Sequence, residues 1–128
     1  MNKENVNERD MILFGEPYDK AKYQYGGVRH FRELTAEELK ELVDKDFIDL
    51  EECQNCSPTT QDFMEFLEEH PEFTAHGYAV SPERSDYRIT LEGIESEVEP
   101  DMDILEAFIE FCRFADDFSI HPLYAWWD

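Results

Sequence analysis

The sequence predicts an α+β fold in which three main helices pack on a small, mainly antiparallel sheet. Three amphipathic segments with helix-capping signals predict the helices, at residues 35–45, 58–70 and 101–115. Two apolar segments on either side of a polar turn, residues 73–80 and 87–94, predict an antiparallel pair of strands. The 128 residues, 41% of them hydrophobic, fit one domain with a core of its own.

The first ten residues are polar and show no hydrophobic period. We therefore predict a disordered tail over residues 1–10 and a single α+β domain over residues 11–128. The domain is expected to begin with a short strand at residues 11–14. A hairpin is predicted around Gly26 and Gly27, because two glycines between strand-like segments suit a turn that needs positive φ.

Capping residues mark the starts of two helices. Thr35 and Glu38 form a capping box, in which the Thr hydroxyl accepts from the amide of Glu38 and the Glu carboxylate accepts from the amide of Thr35. Ser57 before Pro58 predicts the second start, since proline suits the first helical position. Pro71 predicts the end of this helix.

The second half of the chain carries the strand signals. Tyr87, Ile89 and Leu91 alternate with polar neighbours, which predicts a half-buried antiparallel strand. Gly93 is expected to mark its end or a bulge. The aromatic C-terminal segment, residues 118–128, is expected to dock on the body as a final strand.

The order helix, helix, hairpin over residues 35–94 is that of a winged helix, which we keep as an alternative arrangement. The chemistry argues against DNA binding, because the helix that would enter the groove has no Lys or Arg. It displays four carboxylates, on Asp62, Glu65, Glu68 and Glu69. These groups would repel phosphates with no counterion release to offset the repulsion. We therefore predict no direct binding of nucleic acid.

The formal net charge of −21 is distributed unevenly along the chain. Residues 1–32 hold six of the 11 basic side chains and five of the 32 acidic ones, so the whole acidic excess lies after residue 32. Such a surface attracts basic proteins and repels anionic lipids. Four of the early cations are expected to fold back onto the acidic body or to bridge to a second copy: Lys20, Lys22, Arg29 and Arg32.

Cysteine usage and hydropathy bear on the compartment. Three cysteines, an odd and small number, predict a reducing compartment instead of a disulfide framework. The polar N-terminus predicts no signal peptide, and the apolar runs are too short to cross a membrane. We expect a cytoplasmic protein of bacterial type, a monomer or weak homodimer that does not bind membranes.

Cys53 and Cys56 form a CxxC pair. One such pair supplies two ligands, whereas a closed zinc site needs four, and the sequence has no second CxxC pair. We interpret the pair as two small side chains in a turn, with a small zinc-binding protein and a redox pair as alternatives. No cofactor is expected.

No pattern of residues indicates an enzyme. The four histidines are scattered, without the spacing of a nucleophilic triad, and the carboxylates are too numerous for any two to stand out as an acid and a base. The best candidates for a contact site are the aromatic residues Tyr124, Trp126 and Trp127, since such anchors are enriched at interfaces. In a strand, the two adjacent tryptophans cannot both point inward.

Three stretches carry a family resemblance: Thr74-Ala-His-Gly-Tyr-Ala-Val-Ser-Pro-Glu-Arg84, then Asp86-Tyr-Arg88, and the terminal Tyr124-Ala-Trp-Trp-Asp128. With these stretches the chain resembles small acidic bacterial proteins of unknown function, over most of residues 33–128. The resemblance implies no activity and assigns no functional residue.

Three functional hypotheses follow from the sequence. The first is a non-enzymatic interaction module that binds a basic partner through Glu65, Glu68, Glu69, Tyr124, Trp126 and Trp127. The second is a nucleic-acid mimic, in which the carboxylates of residues 62–72 and 92–103 imitate phosphates and block a DNA- or RNA-binding protein. The third is the small zinc-binding protein that uses Cys53 and Cys56.

Overall fold

The computed structural model describes residues 2–54 and 57–127. The strands are β1 (Val28–Leu34), β2 (Thr74–Val80), β3 (Ile89–Ser96), β4 (Asp117–Ile120) and β5 (Leu123–Trp126). The α-helices are α1 (Val6–Phe14), α2 (Ala36–Asp44), α3 (Thr60–Glu69) and α4 (Met102–Phe111), with a short 3-10 turn at Lys20–Lys22. In this part of the chain, no helix has the length and apolar character required to cross a membrane.

The five strands form one antiparallel sheet in the order β1-β2-β3-β5-β4. The α-helices pack on one face through a single core cluster, and the other face is left open. The predicted α+β class is confirmed, but the described residues contain four α-helices where the sequence predicted three main ones. The β2–β3 hairpin lies inside the sheet between β1 and β5, whereas the hairpin of a winged helix lies at an edge.

The start of the chain differs from the predicted tail and strand. Residues 6–14 form α1, in which Arg9 and Asp10 are both 0% exposed. The Arg9 guanidinium donates to Asp10 Oδ1 at 2.8 Å, to the Val80 carbonyl at 3.0 Å and to the Tyr23 hydroxyl at 2.7 Å. Two opposite charges that satisfy one another are buried here, so a polar sequence without a hydrophobic period still forms an anchored helix.

The capping signals place the next two helices. Both hydrogen bonds of the predicted box at Thr35 and Glu38 are present at the start of α2. α3 begins two residues later than the sequence predicts, because its capping box is formed by Thr59 and Asp62. The Ser57 hydroxyl accepts from the Gln54 amide instead of capping the helix.

The sheet forms around glycines. Gly26 and Gly27 take positive φ in a tight turn, as predicted. The turn is closed by a single bridge between Gln24 and Val28 and does not join two strands of a hairpin, because β1 pairs with β2 instead. The register between β2 and β3 shifts just before Gly93, so this glycine marks a bulge and β3 continues to Ser96. The bulge re-aims the outward side chains on the open face.

The C-terminal segment docks as the strand pair β4 and β5. Trp127 is 1% exposed and packs edge-on against Phe63 and Phe111 on the helix side of the sheet. Trp126 is half-buried on the open face. The prediction that only one of the two tryptophans points inward is confirmed.

Two of the four early cations fold back onto the acidic body, as one of the two predicted alternatives requires. Arg32 forms two hydrogen bonds with Glu95, and Lys20 pairs with Glu83 at 3.1 Å. The other two, Lys22 and Arg29, share the carboxylate of Glu16. Bridging to a second copy stays a prediction.

Candidate functional site

A groove between α3 and α4, called here the acidic groove, has a volume of about 420 Å³. Its floor is aromatic: Phe66 stacks on Phe111 with ring centroids 4.3 Å apart, and Phe111 meets Trp127 edge-on at 5.8 Å. These rings belong to the inward stripe of each helix and to the residue after β5. The groove therefore exposes the edge of the core itself.

The rim of the acidic groove is negatively charged. Four carboxylates line it: Asp62, Glu65, Glu69 and Glu110. Among its described lining residues, Arg113 is the one cation, and its guanidinium is occupied by Glu110 at 3.0 Å. The same guanidinium lies over the ring of Phe114, a side chain that is 65% exposed at the groove. An aromatic floor inside a carboxylate rim can accept a cation that carries an apolar stem.

The structure divides the partner-binding residues predicted from sequence. Glu65, Glu69 and Trp127 line the acidic groove, with Trp127 as part of its floor. Glu68 is exposed on α3 but does not line the groove. Tyr124 and Trp126 lie on the open face of the sheet. One predicted site thus becomes two regions on opposite sides of the molecule.

A second concavity lies on the open face and is called here the open-face cavity. Its volume is also about 420 Å³, and its lining side chains include His30, Arg32, His76, Glu92, Tyr124 and Trp126. Gly77 on β2 lines the cavity, and both Gly77 and Gly93 lie where neighbouring backbone approaches closely. A Cβ on Gly93 would lie 2.0 Å from the Ala125 carbonyl oxygen and 2.5 Å from the His76 ring, so only glycine fits.

His76 is the most buried polar side chain of the open-face cavity. It is 8% exposed, its ring stacks on Tyr124 with centroids 5.1 Å apart, and its Nε2 has no hydrogen-bond partner. Burial lowers the pKa of His76 below its usual range, so the imidazole is neutral at pH 7. Burial, followed by the nearby carboxylates of Glu95, Asp117 and Glu92, raises the pKa of Tyr124.

Two carboxylates on the open face are held by different partners. Glu95 is bound by the Arg32 guanidinium at 3.1 and 2.9 Å. Glu92 accepts from the Trp126 indole at 3.3 Å and lies 3.6 Å from His30 Nδ1. Both side chains lie on the open face, so these two carboxylates of the second acidic stretch do not share a surface with those of the acidic groove.

Sequence reasoning missed His76 and Glu92 as members of a site. The one available signal was the spacing of Gly77 and Gly93, which fall next to His76 and Glu92 in two strands predicted to pair. Glycine in a strand interior marks a bulge or a close approach. That signal does not show which side chains line the resulting space, because the bulge between β2 and β3 sets their direction.

The two described cysteines, Cys53 and Cys112, line neither the acidic groove nor the open-face cavity. Cys53 is exposed and lines a smaller cavity of about 270 Å³ with Glu52, whose pKa is raised by burial. Cys112 is buried, which raises the pKa of its thiol, and Cys56 lies outside the described residues. Within residues 2–54 and 57–127, no three His, Cys, Asp or Glu side chains cluster as a metal site would require.

Comparisons with protein-family models, with curated proteins and with solved structures found no match to this chain. The resemblance to small acidic bacterial proteins therefore stays a prediction.

Proposed function

We propose that the protein is a non-enzymatic interaction module whose acidic groove binds a basic segment of a partner protein. The observation that supports this most is the joint presence of an aromatic floor and a carboxylate rim, with Arg113 already occupied by Glu110. Lysine and arginine have both parts of the complementary side chain, since an apolar stem can cover Phe66 and Phe111 while the cationic head reaches Glu65 or Glu69.

A basic partner is favoured over a second copy of this chain. Each copy has a formal net charge of −21, so two acidic grooves or their surroundings would repel one another. A cationic partner is instead attracted over a distance of about 10 Å at 0.1 M salt. Charge therefore selects the class of partner, and the aromatic floor supplies the short-range contact.

The mimic hypothesis has weaker support, because Glu92 and Glu95 lie on the open face and are occupied by Trp126 and Arg32. The zinc hypothesis depends on Cys56, about which the structure is silent. Neither is favoured by a specific observation, whereas the groove favours the basic-partner hypothesis.

The test uses a labelled peptide of about a dozen residues that alternates Lys and Arg with Leu. We expect binding to the full chain, measured by fluorescence anisotropy, to weaken as salt rises, and the double substitution Glu65→Gln with Glu69→Gln to weaken it roughly tenfold. The matched control is Glu37→Gln with Glu68→Gln, which removes the same charge from exposed positions on α2 and α3 outside the groove.

The control separates a groove from a diffuse charge effect. If the two double variants weaken binding equally, the peptide is attracted by net charge alone and the acidic groove is not the site. Binding that is unaffected by salt would contradict an electrostatic contact. A pull-down with the same variants then tests the groove against natural basic proteins.

A further inference from the structure

The open-face cavity is separate from the acidic groove, since it lies on the side of the sheet that the helices leave uncovered. Flanking strands supply long side chains at its sides, His30 and Arg32 from β1 and Tyr124 and Trp126 from β5. Gly77, on the middle strand β2, lines the cavity between them. Its volume of about 420 Å³ lies in the range of small-molecule sites.

Glu92 is a carboxylate without a permanent cation. Its side chain is only 15% exposed, and it contacts the neutral indole of Trp126 and, at 3.6 Å, the imidazole of His30. Among the described residues, no Lys or Arg forms an ion pair with it. A mostly covered carboxylate is costly to leave without a positive partner, so the cavity lacks a positive group beside Glu92.

His76 lines the same cavity with its ring. Its Nε2 is covered, without a hydrogen-bond partner, in a side chain that is 8% exposed. This nitrogen lies against Gly93, where an added Cβ would be 2.6 Å from it, so a ligand in the cavity does not reach it. The acceptor that the cavity offers to a ligand is therefore the Glu92 carboxylate.

Aromatic rings complete the lining. The ring of Tyr124 is held by its stack on His76, and the indole of Trp126 is held by its hydrogen bond to Glu92. The electron-rich faces of such rings attract cations, and they stack well on flat ones. Gly77 leaves the floor between these rings without a side chain.

We infer that the open-face cavity binds a planar organic cation with N–H donors, of the guanidinium or amidinium class. Its charge and N–H groups pair with the Glu92 carboxylate, and its plane lies against Tyr124 or Trp126. An anion would be repelled by Glu92, and a quaternary ammonium has no N–H for that carboxylate. Arg32 already shows the pairing on this face, because its guanidinium grips Glu95 with two hydrogen bonds.

The probe is benzamidine, a flat amidinium, titrated into the intact protein and followed by the NMR signal of the Trp126 indole N–H. We expect a saturable shift of that signal. Benzoate, with the same ring and the opposite charge, and tetramethylammonium, with charge but no N–H, are matched probe controls that should not saturate.

Two variants test the proposed contacts. Glu92→Gln keeps the shape of the side chain and should weaken the binding of benzamidine at least tenfold. His76→Phe keeps the ring stack on Tyr124 and removes a nitrogen that the ligand does not reach, so it should leave the binding of benzamidine nearly unchanged. The groove variant with Glu65→Gln and Glu69→Gln should bind benzamidine like the original chain, so failure here and failure of the groove are distinguishable.

A second probe, a short peptide with one arginine, distinguishes two natural sources of the cation: an arginine side chain of a protein and a free small molecule. Saturation by both probes, or by the peptide alone, assigns the cavity to an arginine side chain, whereas saturation by benzamidine alone assigns it to a free small molecule. Absence of saturation by either probe would overturn the inference. Equal binding of benzamidine and benzoate would overturn it as well.

Discussion

The acidic groove and the open-face cavity have equal volumes of about 420 Å³ but opposite construction. The groove has carboxylates that project into solvent around a floor taken from the core. The cavity has polar groups that are mostly covered, Glu92 and His76, on a sheet without covering helices. Exposed charge suits a long-range attraction to a large partner, whereas covered polar groups select a small one by geometry.

One peptide bond separates the two regions. Trp126 contributes to the open-face cavity, and Trp127 contributes to the floor of the acidic groove and to the core. Because alternate residues of a strand face opposite sides, the adjacent pair divides between them. The two tryptophans thus offer the sharpest way to test the difference.

The largest effect is expected from Trp127→Ala, which should lower the free energy of unfolding by about 3–5 kcal/mol because it opens a cavity among Phe63 and Phe111. Trp126→Ala, at a half-buried position with one hydrogen bond to Glu92, should lower it by about 1–2 kcal/mol. Urea denaturation measures both. Equal losses would mean that the two faces do not differ in packing.

A smaller effect is expected from Gly93→Ala, which should cost about 1–3 kcal/mol. The new methyl group would meet the Ala125 carbonyl oxygen and the His76 ring, and a backbone oxygen in the sheet cannot move aside freely. It should also abolish binding in the open-face cavity and leave the acidic groove intact. Thr74→Ala, a half-buried position on a neighbouring strand, is the control and should cost under about 1 kcal/mol.

The third prediction concerns pH. Burial lowers the pKa of His76 in the folded chain, so the unfolded chain binds a proton that the folded chain refuses as pH falls below about 6.5. His76 therefore lowers stability in acid, by at most about 1.4 kcal/mol per pH unit. The difference in unfolding free energy between the original chain and His76→Phe, measured from pH 7.5 to 5, should shift in favour of the variant. A constant difference would contradict a neutral, covered imidazole.

The smallest effect is expected in the acidic groove. Glu65 and Glu69 lie on the exposed side of α3, so Glu65→Gln and Glu69→Gln should each change the free energy of unfolding by under about 0.5 kcal/mol. Thermal and urea denaturation at low salt measure this change. A loss well above this would make the two carboxylates structural, and the groove variants would no longer test binding alone.

Much of the secondary structure was predictable, because its causes are local. The capping box at Thr35, the alternation around Ile89 and the division of Trp126 from Trp127 follow from neighbours within a few residues. Helix α1 was not predictable in this way. The buried Arg9 guanidinium donates a hydrogen bond to the carbonyl of Val80, 71 residues later in the chain. No local sequence pattern predicts a buried ion pair of this kind.

The candidate regions divide in the same manner. The acidity of the outer face of α3 was predictable from sequence, because the prediction needs only the helical period and the positions of the charges. That Glu65 and Glu69 share a groove with Trp127, and Glu68 does not, depends on where α4 packs. The grouping of His76 with Tyr124 depends on the strand order and on a bulge.

By itself the sequence determined the α+β class and the acidic character, because periodicity, caps and charge act within a turn or a strand. The tertiary structure alone decided that the predicted contact residues divide between two regions, and which side chains line each. Packing brings together residues far apart in the chain, such as His76 with Tyr124 and Arg9 with Val80, and it decides which polar groups are left covered without a partner.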